Sequence, residues 1–166
     1  MRRLVLVLLL SGCLPVAAAW ARLPALVTLD GVGSVVPGMT PAQAAARWGI
    51  AVRPAGSDPA CQTATIAVGT LHGYALFEHG RLGAVFLDRG ARTGTGVGIG
   101  STERRVRVAY PHVVVQPHKY VQGGHYLFVS RARAPHWRIR FDTSAAGRVT
   151  QIAFGARAAG YVEGCG

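Results

Sequence analysis

Apolar and polar positions along the chain fall into two short helical patterns, each followed by strand-like runs. Residues 38–49, GMTPAQAAARWG, predict the first helix. Thr40 is a good N-cap, Pro41 suits the first helical position, Gln43 completes a capping box, and Ala42 to Ala46 is strong helix-forming sequence that Gly49 stops. Residues 100–111, GSTERRVRVAYP, predict the second. Here Thr102 caps, Glu103 sits at the positive helix N-terminus, and Pro111 ends the run. Val106 and Tyr110 share one face, whereas Arg104, Arg105 and Arg107 give the helix a basic side.

Strands are predicted after each helix. The first set is Ala51 to Arg53, Thr63 to Val68, and Tyr74 to Glu78, with His79-Gly80 turning into Arg81 to Asp88. The second is His112 to Gln116, His125 to Ser130, and Trp137 to Asp142, with Ala146-Gly147 turning into Arg148 to Phe154. Residues 54–59 and 117–124 read as loops, 88–98 as a linker and 155–166 as a tail. The two helical segments also align without gaps at an offset of 62: Gly38 meets Gly100, Thr40 meets Thr102, Ala44 meets Val106 and Trp48 meets Tyr110. A glycine-rich approach precedes each, Gly31-Val32-Gly33 and Gly94-Thr95-Gly96-Val97-Gly98. The expected fold is therefore α+β: two helix-plus-antiparallel-sheet repeats packed into one compact unit, residues 22–92 and 93–166.

The first 21 residues stand apart. Arg2 and Arg3 precede the apolar run Leu4 to Leu10, and Ala17, Ala18, Ala19 and Ala21 offer small residues for cleavage. Gly12 and Pro15 break the apolar stretch, which is too short for a spanning helix. Residues 1–21 are expected to be a signal peptide and the protein secreted. An alternative is a lipobox, Leu10-Ser11-Gly12-Cys13, in which Cys13 is lipidated and holds the chain on the outer face of the membrane.

Composition agrees with an exported globular domain. The chain has 166 residues, half of them apolar and 15% charged, which excludes a charge-rich disordered chain. Its 18 basic and 7 acidic residues leave a net +11, and +9 without Arg2 and Arg3. Seventeen of the basic residues are Arg, the other being Lys119. Besides Cys13 the chain has Cys61 and Cys165. Two thiols permit one bridge, which an oxidising compartment favours, and a Cys61–Cys165 disulfide tying the C-terminal tail to the first repeat is expected; the alternative is two unrelated thiols.

A helix opened by Gly38-Met39-Thr40 and closed by Gly49, followed by a small antiparallel sheet, resembles the SmpA/OmlA-type envelope domains. Doubled, the pattern is similar to the tandem-repeat secreted beta-lactamase-inhibitor proteins of filamentous actinobacteria. The second copy departs from it, with Ser101 for Met and Pro111 for Gly. The chain also resembles small exported actinobacterial proteins with a late Cys. The resemblance implies a non-catalytic protein that acts by binding other proteins.

Residue types that carry chemistry are sparse. His112, His118 and His125 are six and seven apart, a spacing that does not place two ligands on adjacent helical turns, and no metal site is assigned. No serine lies in a nucleophile-elbow context, and seven carboxylates supply few pairs for hydrolysis, so no catalytic residue is assigned. Gly94 to Gly100 lacks the phosphate-loop spacing, and no cofactor is expected. Arg131, Arg133, Arg138 and Arg140 alternate in RARAPHWRIR, so on a hairpin four guanidinium groups would line one surface as an anion-binding face. Phe77, Phe86, Phe128, Phe141 and Phe154 fall in predicted strands and read as core.

The expected function is a non-catalytic binding module of the cell envelope or extracellular space whose partner is an extracytoplasmic protein. Binding of anionic envelope polymer or a membrane surface through the arginine face is the alternative, and a small metal-dependent or hydrolytic enzyme a third. Export disfavours nucleic acid as a partner.

Overall fold

The computed structural model describes residues 26–132 and 134–165. The expected signal peptide, Cys13 and Arg133 lie outside them. The elements run β1 (Leu26–Val27), α1 (Pro41–Trp48), β2 (Cys61–Val68), β3 (Leu71–Glu78), β4 (Arg81–Arg89), β5 (Arg92–Thr93), α2 (Glu103–Ala109), β6 (Val114–Pro117), β7 (His125–Arg131), β8 (Ala134–Thr143), β9 (Val149–Gly155) and a 3₁₀ turn, Arg157–Gly160. The class is α+β. No helix among the described residues is long and apolar enough to cross a membrane.

Both helices start where the side chains dictate. Thr40 Oγ1 accepts from the Gln43 backbone N–H at 3.2 Å, and Gln43 Oε1 accepts from the Thr40 N–H at 2.9 Å, a complete capping box. Gly49 ends α1 in the left-handed region, φ 68°. Thr102 Oγ1 accepts from the Arg105 N–H at 3.2 Å, and α2 stops at Tyr110, one residue before Pro111.

Seven strands form one antiparallel sheet in the order β2-β3-β4-β9-β8-β7-β6, and β1 pairs in parallel with β5 beside it. No separate repeat units are seen. The last strands of the two halves, β4 and β9, pair with each other, Val85 opposite Phe154 and Phe86 opposite Ala153. The halves therefore share a ladder and a core. They also differ in content: Ala51 to Arg53 forms no strand, and in its place Ala55 makes an isolated bridge to Thr63. Pro54, which cannot donate to a ladder, closes that segment.

Alternation along the strands gives the sheet two unequal faces. On one, Ile66, Phe77, Val85, Leu87, Leu127, Ile139, Phe141, Ile152 and Phe154 join Ala44 and Trp48 of α1 and Val106 of α2 in the main core. On the other, Leu76, Ala84, Phe86 and Ala153 meet Ala158 and Ala159 of the 3₁₀ turn. This second, outer face is thus covered on its β3–β4–β9 side by the C-terminal segment, a strap not foreseen in the tail.

The strap is fastened by a disulfide between Cys61, at the start of β2, and Cys165, whose Cα atoms are 5.4 Å apart. Tyr161 Oη adds a 2.9 Å hydrogen bond to Glu78, and Glu163 accepts from both Lys119 and Tyr120. The bridge spans 104 residues, and closing such a loop is worth about 4–5 kcal/mol in the chain-entropy account. Reduction, or Cys165→Ser, should therefore lower the urea midpoint of unfolding by a clear margin. Superimposable curves with and without reductant would rule out that role for the bridge.

Candidate functional site

The outer face is built around one row of residues facing each other across six strands. Tyr74 of β3 stands opposite Phe86 of β4, Phe86 opposite Ala153 of β9, Ala153 opposite Arg140 of β8, Arg140 opposite Phe128 of β7, and Phe128 opposite Val114 of β6. Tyr74 and Phe86 stack with centroids 4.6 Å apart. The row begins apolar under the strap, passes through a buried cation at Arg140, and emerges at Phe128, half-buried, and Val114, 57% exposed on the edge strand.

Arg140 is 2% exposed, yet its bonding groups are engaged. Nε and Nη2 donate to the two carboxylate oxygens of Asp142 at 2.7 and 3.0 Å, and Nη1 donates to the Tyr161 carbonyl in the strap at 2.8 Å. The guanidinium lies 5.0 Å from the Tyr126 ring centroid and 5.6 Å from that of Phe86. Burial pushes the Asp142 carboxyl up from its ordinary range, and the charge and hydrogen bonds of Arg140 pull it back. The Arg138-x-Arg140-x-Asp142 alternation placed all three on one face, a signal for this pair that was present in the sequence.

Of the four arginines expected to share one surface, Arg133 lies outside the described residues, and Arg131 does not join Arg138 and Arg140. Trp137 packs on the main core, so Arg138 and Arg140 face outward from β8. Arg131 instead lines a cleft with Leu29, Asp30 and Trp137, where its guanidinium makes a two-pronged pair with Asp30 at 2.8 and 2.7 Å. The ladder pairs Ser130, not Arg131, with Arg138, so alternation along β7 puts Arg131 on the side of Val129 and the main core, opposite to Arg138 and Arg140. Arg140 is spent on Asp142, which leaves Arg138 as the member of the set, among the described residues, without a carboxylate on this face. Phe128 also departs from the reading of five core phenylalanines, because it belongs to the open part of the outer face.

The three histidines are not brought together, and no group of three or more His, Cys, Asp or Glu among the described residues can hold a metal. His112 is exposed. His118 Nδ1 accepts from the Tyr120 and Val121 backbone N–H groups, while its ring stacks on Tyr126 at 4.2 Å. His125 Nδ1 lies 2.8 Å from Glu103 Oε2. Glu103 Oε1 takes two hydrogen bonds from Arg107 as well, at 3.0 and 2.6 Å. Burial by itself would raise the Glu103 carboxyl, but the bonds from Arg107 and His125 hold it below its ordinary value of 4.5. Ser101 Oγ accepts from the Gly98 N–H in the turn before α2, which accounts for it structurally.

No protein-family profile and no curated protein matches the chain. Among solved structures, it is similar to a cysteine-rich secretory protein from Staphylococcus aureus, at a TM-score of 0.50 and 12% identity over 77% of this chain and 47% of that one. A second is an extracellular protein containing an SCP domain from Bacillus anthracis, at 0.47 and 10% identity, over 78% and 47%. The likeness is one of fold. The chain spans about half the length of each of these proteins. The likeness to the Staphylococcus aureus protein, with the absence of separate repeat units among the described residues, corrects the expected resemblance to SmpA/OmlA-type domains and tandem beta-lactamase-inhibitor repeats. A capped helix before an antiparallel sheet is a local pattern, and it does not fix how the strands join, which here is one continuous seven-stranded sheet.

Two outcomes test the electrostatics of this region. Asp142→Ala strands the Arg140 charge in the interior and should cost about 3–5 kcal/mol in equilibrium urea unfolding, whereas Arg140→Met with Asp142→Leu should cost less than the single change. A double variant at least as damaging as Asp142→Ala would contradict this view of the pair. Glu103, with its folded value depressed, contributes stability that is complete above about 4.5 and is lost as pH falls through that lower folded value. The gap in unfolding free energy between wild type and Glu103→Gln should narrow as pH drops below 4.5, and a gap independent of pH would remove the carboxylate from the acid response.

Proposed function

We propose that this chain is an exported, non-catalytic protein-binding module of the cell envelope or extracellular space, and that it binds through the open part of the outer sheet face. The observation that carries the reading is the way the outer-face row ends: Phe128 half-buried, Val114 57% exposed beside it on the edge strand β6, and Arg138 next to them on the same face. An apolar contact, a cation and an unpaired strand edge together suit a folded or extended polypeptide. On the covered side, the strap and its disulfide hold this face in place.

Export is supported by the leader-like pattern of residues 1–21 and by the Cys61–Cys165 bridge, since such bridges persist in oxidising compartments. The Staphylococcus aureus protein of similar fold is itself described as secretory. Secretion is preferred to lipidation at Cys13, because the stretch after Cys13 stays apolar where a lipoprotein has a polar tether. Within this reading the two helix-led segments act together, each supplying part of one binding sheet.

Immobilised in its oxidised exported form, the chain should retain a discrete protein from the host envelope fraction at high as well as low salt. Retention of acidic polymer or lipid that is lost at high salt would point instead to the arginines, foremost Arg104 and Arg105, which are exposed on α2. Retention of nothing under either condition would overturn the module reading.

A further inference from the structure

We propose that Arg138 is the anion-reading position of the open sheet face, and that its occupant is a carboxylate side chain of an acidic protein partner. This rests on the binding-module reading and names the chemistry of the partner.

Among the described residues, two cationic side chains are not exposed, Arg138 and Arg140. They point from the same strand to the same face, yet they are treated oppositely. Arg140 has Asp142, the Tyr161 carbonyl and Gln151. Arg138 makes no hydrogen bond or ion pair with any described residue, and its Nε is shut off from solvent with nothing to accept its proton. The exposed cations do not raise this question. Arg131, Arg107 and Lys119 are paired with carboxylates, and Arg92, Arg105 and Arg148 donate to backbone carbonyls. A buried donor of a charged group left unmade is uncommon, and an acceptor from outside reaches this guanidinium through Nη1 and Nη2, which are neither shut off nor hydrogen-bonded to a described residue.

The surroundings hold the guanidinium in position for one. It lies 5.7 Å over the Phe128 ring, and a Cβ built on Gly160 of the strap would stand 3.5 Å from Nη1. Ser130, exposed and directly opposite Arg138 across the β7–β8 ladder, adds a hydroxyl. Val114, opposite Phe128, adds an exposed apolar contact on the edge strand. A planar carboxylate matches the guanidinium fork. The neighbouring apolar side chains and unpaired strand edge select a polypeptide over an anionic polymer, which favours fully solvated charge. Net charge points the same way: 18 basic against 7 acidic residues complement an acidic surface.

Acetate serves as the probe of the position itself. In the full oxidised chain, the Arg138 Nε–Hε resonance should move saturably with sodium acetate and not with sodium chloride at equal ionic strength, while that of Arg140 stays in place. Equal movement in the two salts would overturn the proposal. In the second arm, the protein retained from the envelope fraction should be identified as acidic and should bind Arg138→Gln roughly tenfold or more weakly than wild type, the loss expected for one charge-assisted bond. Arg104→Gln with Arg105→Gln should bind like wild type. Because Arg138 makes no hydrogen bond or ion pair with a described residue and only stacks on Phe128, Arg138→Gln should melt within a degree or so of wild type.

A partner held equally by wild type and Arg138→Gln sinks this proposal and leaves the module reading standing. Loss of binding in the α2 double variant alone assigns the ligand to the polymer class and overturns it as well. If wild type retains nothing, the module reading falls, and the acetate titration decides whether Arg138 is an anion position at all.

Discussion

The Arg140–Asp142 pair sets the terms for the outer face of the sheet. A guanidinium with 2% of its surface exposed has to find its acceptors inside the protein, and they come from three places: the next outward residue of its own strand, a side chain of β9 and the backbone of the C-terminal strap. The strap is therefore more than a lid of alanines. Its Tyr161 carbonyl completes the coordination of the charge, while the rings of Phe86 and Tyr126 flank it. Sheet centre, strap and loop 118–124 are linked through this one side chain, since His118 stacks on Tyr126.

That constraint divides the outer face. Toward β2, the apolar residues Leu76, Ala84, Phe86 and Ala153 lie beneath Ala158 and Ala159, and the disulfide holds the far end of the strap to β2. Toward β6 the described residues place no helix or strap over Phe128 and Val114, and Arg138 lies at the border, beside Gly160 of the strap. The opposite face is filled by both helices and the main core, which leaves the outer face as the side of the sheet with an uncovered part. The strap thus does two things at once: it satisfies a buried charge and marks the border of the open surface.

Much of the local structure was legible. The caps at Thr40 and Thr102, the turns at His79-Gly80 and Ala146-Gly147 and most strands follow from short-range chemistry, because a cap or a hairpin is decided by residues within a few positions of one another. The functional surface was read less well for the same reason. Alternation correctly placed Arg138 and Arg140 together, but it could not see that the ladder would pair Ser130, not Arg131, with Arg138, which puts Arg131 on the other side of β7, where it meets Asp30, 101 positions away. Nor could it separate Arg140 from Arg138, since what distinguishes them is the Tyr161 carbonyl of a distant segment, which accepts from Arg140 and not from Arg138. Phe128 looked like any strand phenylalanine until its strand was placed near the open edge.

The sequence by itself determined the helices, their caps, most of the long strands and the supply of two thiols able to bridge, all of which depend on neighbours in the chain. The tertiary structure decided that β4 and β9 would fuse the two segments into one sheet, that residues 157–165 would cross its outer face, and that one arginine would be satisfied and its neighbour left open. Those outcomes depend on which strand lies beside which and on what the tail covers. They are set by packing and by the need to pair a buried charge, across separations that no local pattern encodes.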